Sequence, residues 1–150
     1  MIAKTKTALA LASLLALAAT PALADTGCVK LDQAAAKGLF DKWAAALPGH
    51  NADLVLAFYA DGHSFKPHDR DAALTERTAI RDYWTDFVDG TPRVTLGETT
   101  VTADCGKVVK SGVKTIAVGG EEIRATFAME FADNGGTWLI TRHEITPMAN

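Results

Sequence analysis

The sequence predicts an α+β domain, with helices first and an antiparallel sheet after them, behind an N-terminal export segment. Three observations carry this reading. Apolar residues recur at three- and four-residue steps as far as Val88, the period changes to alternation after Pro92, and four alternating segments are separated by glycine-containing turns.

The chain opens with Lys4 and Lys6, then a largely apolar run from Ala8 to Ala19, then Thr20-Pro21 and the small-residue triplet Ala22-Leu23-Ala24. A basic end, an apolar stretch, a helix breaker and a small-residue site form the order of a cleavable signal peptide. The run is shorter than the ~20 apolar residues that span a bilayer, which argues against an anchor. Asp25-Thr26-Gly27 is a poor lead-in for a lipid on Cys28. The expected product is therefore one domain of residues 25–150, periplasmic or secreted, with residues 1–24 removed. Of the 15 basic and 18 acidic residues, the segment holds two lysines and no acid, which leaves 13 against 18. A moderately acidic domain without a basic stripe suits neither nucleic acid nor an anionic membrane as a partner.

Cys28 and Cys105 are the two cysteines. An oxidising compartment favours a bond between them, which would tie the N-terminus to the sheet; the alternative is two buried thiols.

The helical stripe Leu31, Ala35, Leu39, Trp43 and Ala46 is stopped by Pro48-Gly49. Asn51 then caps a second helix carrying Leu54, Val55, Phe58 and Tyr59, expected to end at Asp61-Gly62. His63 to Lys66 reads as a short extended piece, and His68 to Ala73 as a loop. Thr75 caps a third helix whose stripe is Ile80, Tyr83, Trp84, Phe87 and Val88, closed by Gly90 and Pro92. Strands are expected near 93–103, 107–118, 121–132 and 138–146, punctuated by Asp104-Cys105-Gly106, Gly119-Gly120 and Asp133-Asn134-Gly135-Gly136.

This order, together with Phe58-Tyr59-Ala60-Asp61-Gly62, the segment Thr75 to Trp84 and the run Trp138 to Met148, resembles the nuclear transport factor 2-like superfamily. That cone-shaped fold is shared with ketosteroid isomerase, scytalone dehydratase and polyketide cyclases. The chain looks most like bacterial single-domain relatives of the calcium/calmodulin-dependent kinase II association domain. The resemblance implies N-terminal helices packed on a curved antiparallel sheet, a cavity between them, and self-association into dimers or larger rings. The family's usual His-His-Ser-Ser in the last strand is replaced by His143-Glu144-Ile145-Thr146, so His143 alone carries over. No kinase motif occurs.

A two-residue turn at Gly119-Gly120 sets Ile116 opposite Ile123, Thr115 opposite Arg124, and Val113 opposite Thr126. One face then carries Val108, Ile116, Ile123, Phe127, Met129 and Phe131, interrupted by Lys110 and Lys114. The other has small residues around Arg124. Room around an arginine suggests the cavity, so Arg124 is expected there as an anchor for an anion, and the Phe127 face at a subunit contact. The alternatives are a solvated Arg124, or one bridged to Glu130 or Glu144. The expected neighbours of Arg124 are His143, Tyr59 and Trp84, with Arg142 and Glu144 as alternates. An even loop in the last hairpin puts His143 beside Arg124, and an odd loop puts Arg142 and Glu144 there; the family match at His143 favours the first.

Asp61, His63, His143 and Glu144 are the candidates for acid–base chemistry, which needs a carboxylate or imidazole in an apolar setting. The isomerase pattern of an aspartate base facing a tyrosine-aspartate pair cannot be matched onto them. His63, His68, Asp69 and Asp71 lie close in sequence but repeat no metal-ligand spacing, so no metal is expected. No nucleophile, dinucleotide or phosphate motif appears, so no cofactor is expected either. Trp43 and Trp84 read first as core.

Three functions follow. The leading one is a secreted binding or oligomerising module for a small anionic molecule. The second is a small isomerase- or dehydratase-like enzyme using the same cavity, and the third a purely structural assembly unit. N-terminal sequencing of the exported protein is expected to begin at Asp25, because Ala22 and Ala24 occupy the small-residue positions that signal peptidase reads. Recovery of Met1 on a membrane-bound product would overturn that assignment.

Overall fold

The computed structural model describes residues 27–149; the expected signal segment lies outside them. The elements run α1 (Gln33–Ala46), a 3-10 turn at Leu47–Gly49, α2 (Ala52–Leu56), β1 (Tyr59–Lys66), α3 (Arg77–Asp89), β2 (Arg93–Asp104), β3 (Lys107–Val118), β4 (Glu121–Asn134) and β5 (Thr137–Pro147).

The first two helices begin at side-chain caps. The Asp32 carboxylate accepts from the Ala35 amide at 2.8 Å, closing the first turn of α1. Ala36, Phe40, Trp43 and Leu47 follow at helical spacing, all buried. Asn51 caps α2 by accepting from the Asp53 and Leu54 amides. In α3 the stripe is Ile80, Tyr83, Trp84 and Val88. The cap of α3 differs from expectation, because Glu76 occupies the position and makes no side-chain cap bond.

The sheet order is β1-β5-β4-β3-β2, and β1 runs parallel to β5 while the other pairs are antiparallel. The sheet is thus mixed, where the sequence suggested antiparallel pairing alone. The second helix is also shorter than expected. Tyr59 pairs with Ile140 and the Phe58 carbonyl accepts from the Ile140 amide at 2.7 Å, so tertiary pairing converts the predicted end of α2 into the start of β1. The β3–β4 hairpin has the predicted register, with Ile116 opposite Ile123, Thr115 opposite Arg124 and Val113 opposite Thr126. Opposite a break in the β2–β3 pairing, Gly112 has φ +150°, and a Cβ there would collide with the Glu98 carbonyl.

The helices cover the face that carries Val108, Ile116, Phe127, Met129 and Phe131. Phe40 of α1 sits 5.2 Å from Phe127 between ring centres. The expectation that this face forms a subunit contact is therefore wrong. The apolar stripes of α1 and α3 require the largest apolar sheet surface as their partner, and this face is it. Arg124 and Thr126 are exposed on the opposite, outer face.

Cys28 and Cys105 are joined, with Cα atoms 5.2 Å apart and a sequence separation of 77. The Gly106 amide donates to the Val29 carbonyl at 2.8 Å beside the bond, so the first described residues are fastened to the β2–β3 turn. By chain entropy, a loop of that length contributes on the order of 4 kcal/mol. Cys105→Ser, or reductant on the native chain, is expected to lower the urea midpoint accordingly. An unchanged midpoint with two free thiols would show that the tie carries no stability.

Candidate functional site

Three strands and two helices bring a buried polar cluster together under the cone. Tyr59 and His63 come from β1, Lys114 from β3, His143 from β5, Trp43 from α1 and Trp84 from α3, and all are buried. The Tyr59 oxygen lies 2.8 Å from His143 Nδ1, and Lys114 Nζ lies 3.4 Å from His143 Nε2. An ammonium can only donate. When Lys114 is charged, Nε2 must accept, and the ring proton sits on Nδ1 and is donated to the Tyr59 oxygen. The Tyr59 hydroxyl proton is then free for another partner.

Aromatic rings wall this chain of contacts. His143 is 5.1 Å from Phe65 and 5.1 Å, edge-on, from Trp43, and it stacks at 6.4 Å on Trp84. Lys114 Nζ stands 5.0 Å from the Phe127 ring centre and 5.4 Å from that of Trp43. Those π faces are its electrostatic partners, because among the described residues no carboxylate lies within 4.0 Å of it. Lys110, the other lysine on this face, differs: it lies over Phe40 and reaches to 4.0 Å from the exposed Asp41.

Burial sets the protonation states. Lys114 is pushed down to about 7 by desolvation alone. Desolvation, with the Lys114 charge adding to it, drives His143 well below the usual imidazole range. Burial also raises the Tyr59 phenol, against the opposing influence of the Trp43 and Trp84 indoles near its oxygen. Those indoles are close enough to favour a negative oxygen, but neither makes a hydrogen bond of acceptable geometry. Trp43 Nε1, Trp84 Nε1 and His63 Nε2 are all buried without a partner. Buried polar atoms are nearly always satisfied, so three unpartnered ones in one cluster set it apart from the rest of the core.

Of the residues singled out in the sequence, the fold brings Tyr59, Trp84 and His143 together. Arg124 is not among them. It is exposed on the outer sheet face, as the solvated alternative held, and among the described residues it makes no bridge to Glu130 or Glu144, the other alternative. Glu130 pairs instead with Lys107 at 2.7 Å, and Glu144 with Arg142 at 2.6 Å, so Arg142 and Glu144 lie on that outer face as well. Asp61 is exposed and sits 3.6 Å from Arg77. Both flank a cleft of about 420 Å³ that also touches Tyr59, Leu139 and Thr141. Among the described residues no group of three or more His, Cys, Asp or Glu side chains is placed to hold a metal ion.

Sequence reasoning missed Lys114 as a site residue. The signal was present, since Lys110 and Lys114 interrupt an otherwise apolar strand face. Read as a subunit contact, that face would give a lysine an exit to solvent, and the interruption then signifies nothing.

The family model described as SnoaL-like domain matches residues 37–150. The chain is a SnoaL-like domain. Its fold is that of solved relatives. One is a protein from Xanthomonas campestris assigned as a calcium/calmodulin dependent protein kinase II association domain, 25% identical, with TM-score 0.74 over 80% of this chain and 90% of that one. Another is a nuclear transport factor 2-like protein of unknown function from Pseudomonas putida KT2440, 14% identical, with TM-score 0.69 over 79% and 87%. A third, assigned as a dehydratase of the same fold family from Streptomyces avermitilis, is 12% identical, with TM-score 0.67 over 76% and 94%. No curated protein matches the sequence. The superfamily resemblance read from the sequence is thereby borne out.

The buried lysine gives this SnoaL-like domain a pH signature. Below about pH 7 the folded and unfolded chains both hold the Lys114 proton, and the full cost of burying it is present. Between about 7 and the ordinary 10.5 only the unfolded chain holds it, so stability rises with pH, by about 1.4 kcal/mol per unit. Lys114→Met is expected to raise stability at pH 6 by on the order of 2 kcal/mol and to flatten that rise. Denaturant midpoints at pH 6, 8 and 10 for both chains check this, and equal slopes would place the ammonium in water.

Proposed function

We propose that this SnoaL-like domain binds a small anionic molecule inside the cone, with Lys114 as the charge that recognises it. One observation carries the reading: a buried lysine without a carboxylate partner packs against Trp43, and the indole N–H groups of Trp43 and of its neighbour Trp84 have no hydrogen-bond partner. Lys114 Nζ, Trp43 Nε1, Trp84 Nε1 and the Tyr59 hydroxyl are all donors, the complement that an anionic oxygen calls for. Tyr59 joins this cluster to the surface cleft, which Arg77 also lines. The anchor moves from Arg124 to Lys114, while Tyr59, Trp84 and His143 stay as neighbours.

The Tyr59–His143–Lys114 chain supports a second reading, an isomerase- or dehydratase-like enzyme. A lysine near neutrality beside a neutral imidazole can take a proton from a bound carbon acid, and the donors around the Tyr59 oxygen suit a developing oxyanion. The dehydratase name of the Streptomyces avermitilis neighbour agrees with it. We also infer export to the periplasm or medium, on the N-terminal segment, and self-association, on the association-domain names of two neighbours.

Acetate titrated against the native chain, followed by tryptophan fluorescence, is expected to bind at pH 6 and to weaken as pH rises through 7. In Lys114→Met the affinity should fall at least tenfold with the fold retained. Equal acetate binding by the native chain and the Lys114→Met variant would remove Lys114 as the anchor, and none by either from pH 5 to 8 would favour the purely structural assembly unit.

A further inference from the structure

A second cleft, of about 320 Å³, lies between α1 and the β4–β5 hairpin. Leu39 and Lys42 line it from α1, Phe58 from the turn before β1, Phe131 from β4, and Trp138 and Leu139 from β5. Its volume is in the range of small-molecule sites, roughly 300–1,000 Å³. Eight of the chain's eleven Phe, Tyr and Trp rings pair with another such ring, as Phe40 does with Phe127 at 5.2 Å. The three that pair with none are Phe58, Phe131 and Trp138, and all three line this cleft. Aromatic faces and edges favour another ring as neighbour. Phe58 and Trp138 are only half-buried, so part of their ring surface stays open to one. Lys42 is the one charged side chain among the described residues of the lining. It is exposed, one helical turn from Leu39, and among the described residues no carboxylate lies within 4.0 Å of it.

We propose that this cleft binds a planar aromatic carboxylate, with its ring against Phe58, Phe131 and Trp138 and its carboxylate at Lys42. The site is separate from the anion site in the cone, and neither depends on the other. An aliphatic acid would meet the charge and leave the open ring surfaces without the neighbour they favour. An aromatic amine would meet the rings and set a second positive charge against the lysine. One molecule with both a ring and a carboxylate answers both walls. A lysine can lay its methylene stem along apolar surface and keep its ammonium in water, which puts the anchoring charge at the rim of the cleft.

2-Naphthoate titrated against the native full-length chain at pH 7.5 and low salt, followed by NMR of the tryptophan indole N–H groups, tests the proposal. The Trp138 signal is expected to move, with those of Trp43 and Trp84 left in place. Cyclohexanecarboxylate and 2-naphthylmethylamine should each bind about fivefold more weakly than 2-naphthoate. Lys42→Met, at an exposed position, should retain the fold, lose about threefold in affinity and no longer weaken with added salt as the native chain does. Lys114→Met is expected to bind 2-naphthoate as the native chain does, so failure of the anion reading and failure of this one are told apart. Movement of the Trp43 and Trp84 signals without that of Trp138 would put the acid in the cone and overturn this site. Equal binding of the acid and the amine, or no binding at millimolar 2-naphthoate, overturns it as well.

Discussion

β4 and β5 pair in one phase from the Gly135-Gly136 turn to Ile140 and in the opposite phase from Arg142 onward, and the contents of the cone depend on that slip. Phe131 faces Ile140, yet Glu130 faces Arg142 and Met129 faces His143, so Thr141 is the extra residue. Without it, the pairing that starts at the turn would set Arg142 against Met129 in the core and His143 against Ala128 outside. A single bulge thus exchanges a guanidinium for an imidazole beneath Trp43 and Trp84. It also places Ile140 and His143, three residues apart, on one face, which regular alternation forbids.

The slip brings the imidazole to the lysine. Lys114 and His143 sit on separate strands with β4 between them, and the aromatic rings of α1, α3 and β1 close over both. A cationic group in such a place costs stability unless something offsets it. The π faces of Trp43 and Phe127 offset part of this, and partial loss of the proton removes more. The absent counter-ion is the chemical property of this SnoaL-like domain that distinguishes its interior from an ordinary hydrophobic core.

Much of the fold was legible in the sequence because it was encoded locally. The apolar stripe of α1, the Gly119-Gly120 turn and the strand lengths of β2 to β5 all follow from spacing and turn chemistry. The start of β1 was hidden, because Phe58 and Tyr59 continue a helical pattern until β5, far along the chain, offers them hydrogen bonds. The candidate site was half legible. Tyr59, Trp84 and His143 stand out in the sequence, but the wrong sheet face was assigned to the cavity, since space around Arg124 was weighed above the demand of the helices for a large apolar surface. Once Phe127 and Met129 face inward, Lys114 must follow them by alternation. The bulge at Thr141 carries no glycine or proline and left no local mark, so neither the even nor the odd count of the last loop could predict both Ile140 and His143 inside.

The bond between Cys28 and Cys105 sits at the β2–β3 turn, on two exposed residues. Lys114 lies seven residues beyond Lys107 at the start of β3, roughly 23 Å along an extended strand. Recombinant production in a reducing cytoplasm would therefore leave the fastening open without touching the chemistry of the cone. Material made that way would have a loose leading segment and a lower melting temperature, yet its ligand affinities could be compared directly with those of the oxidised protein.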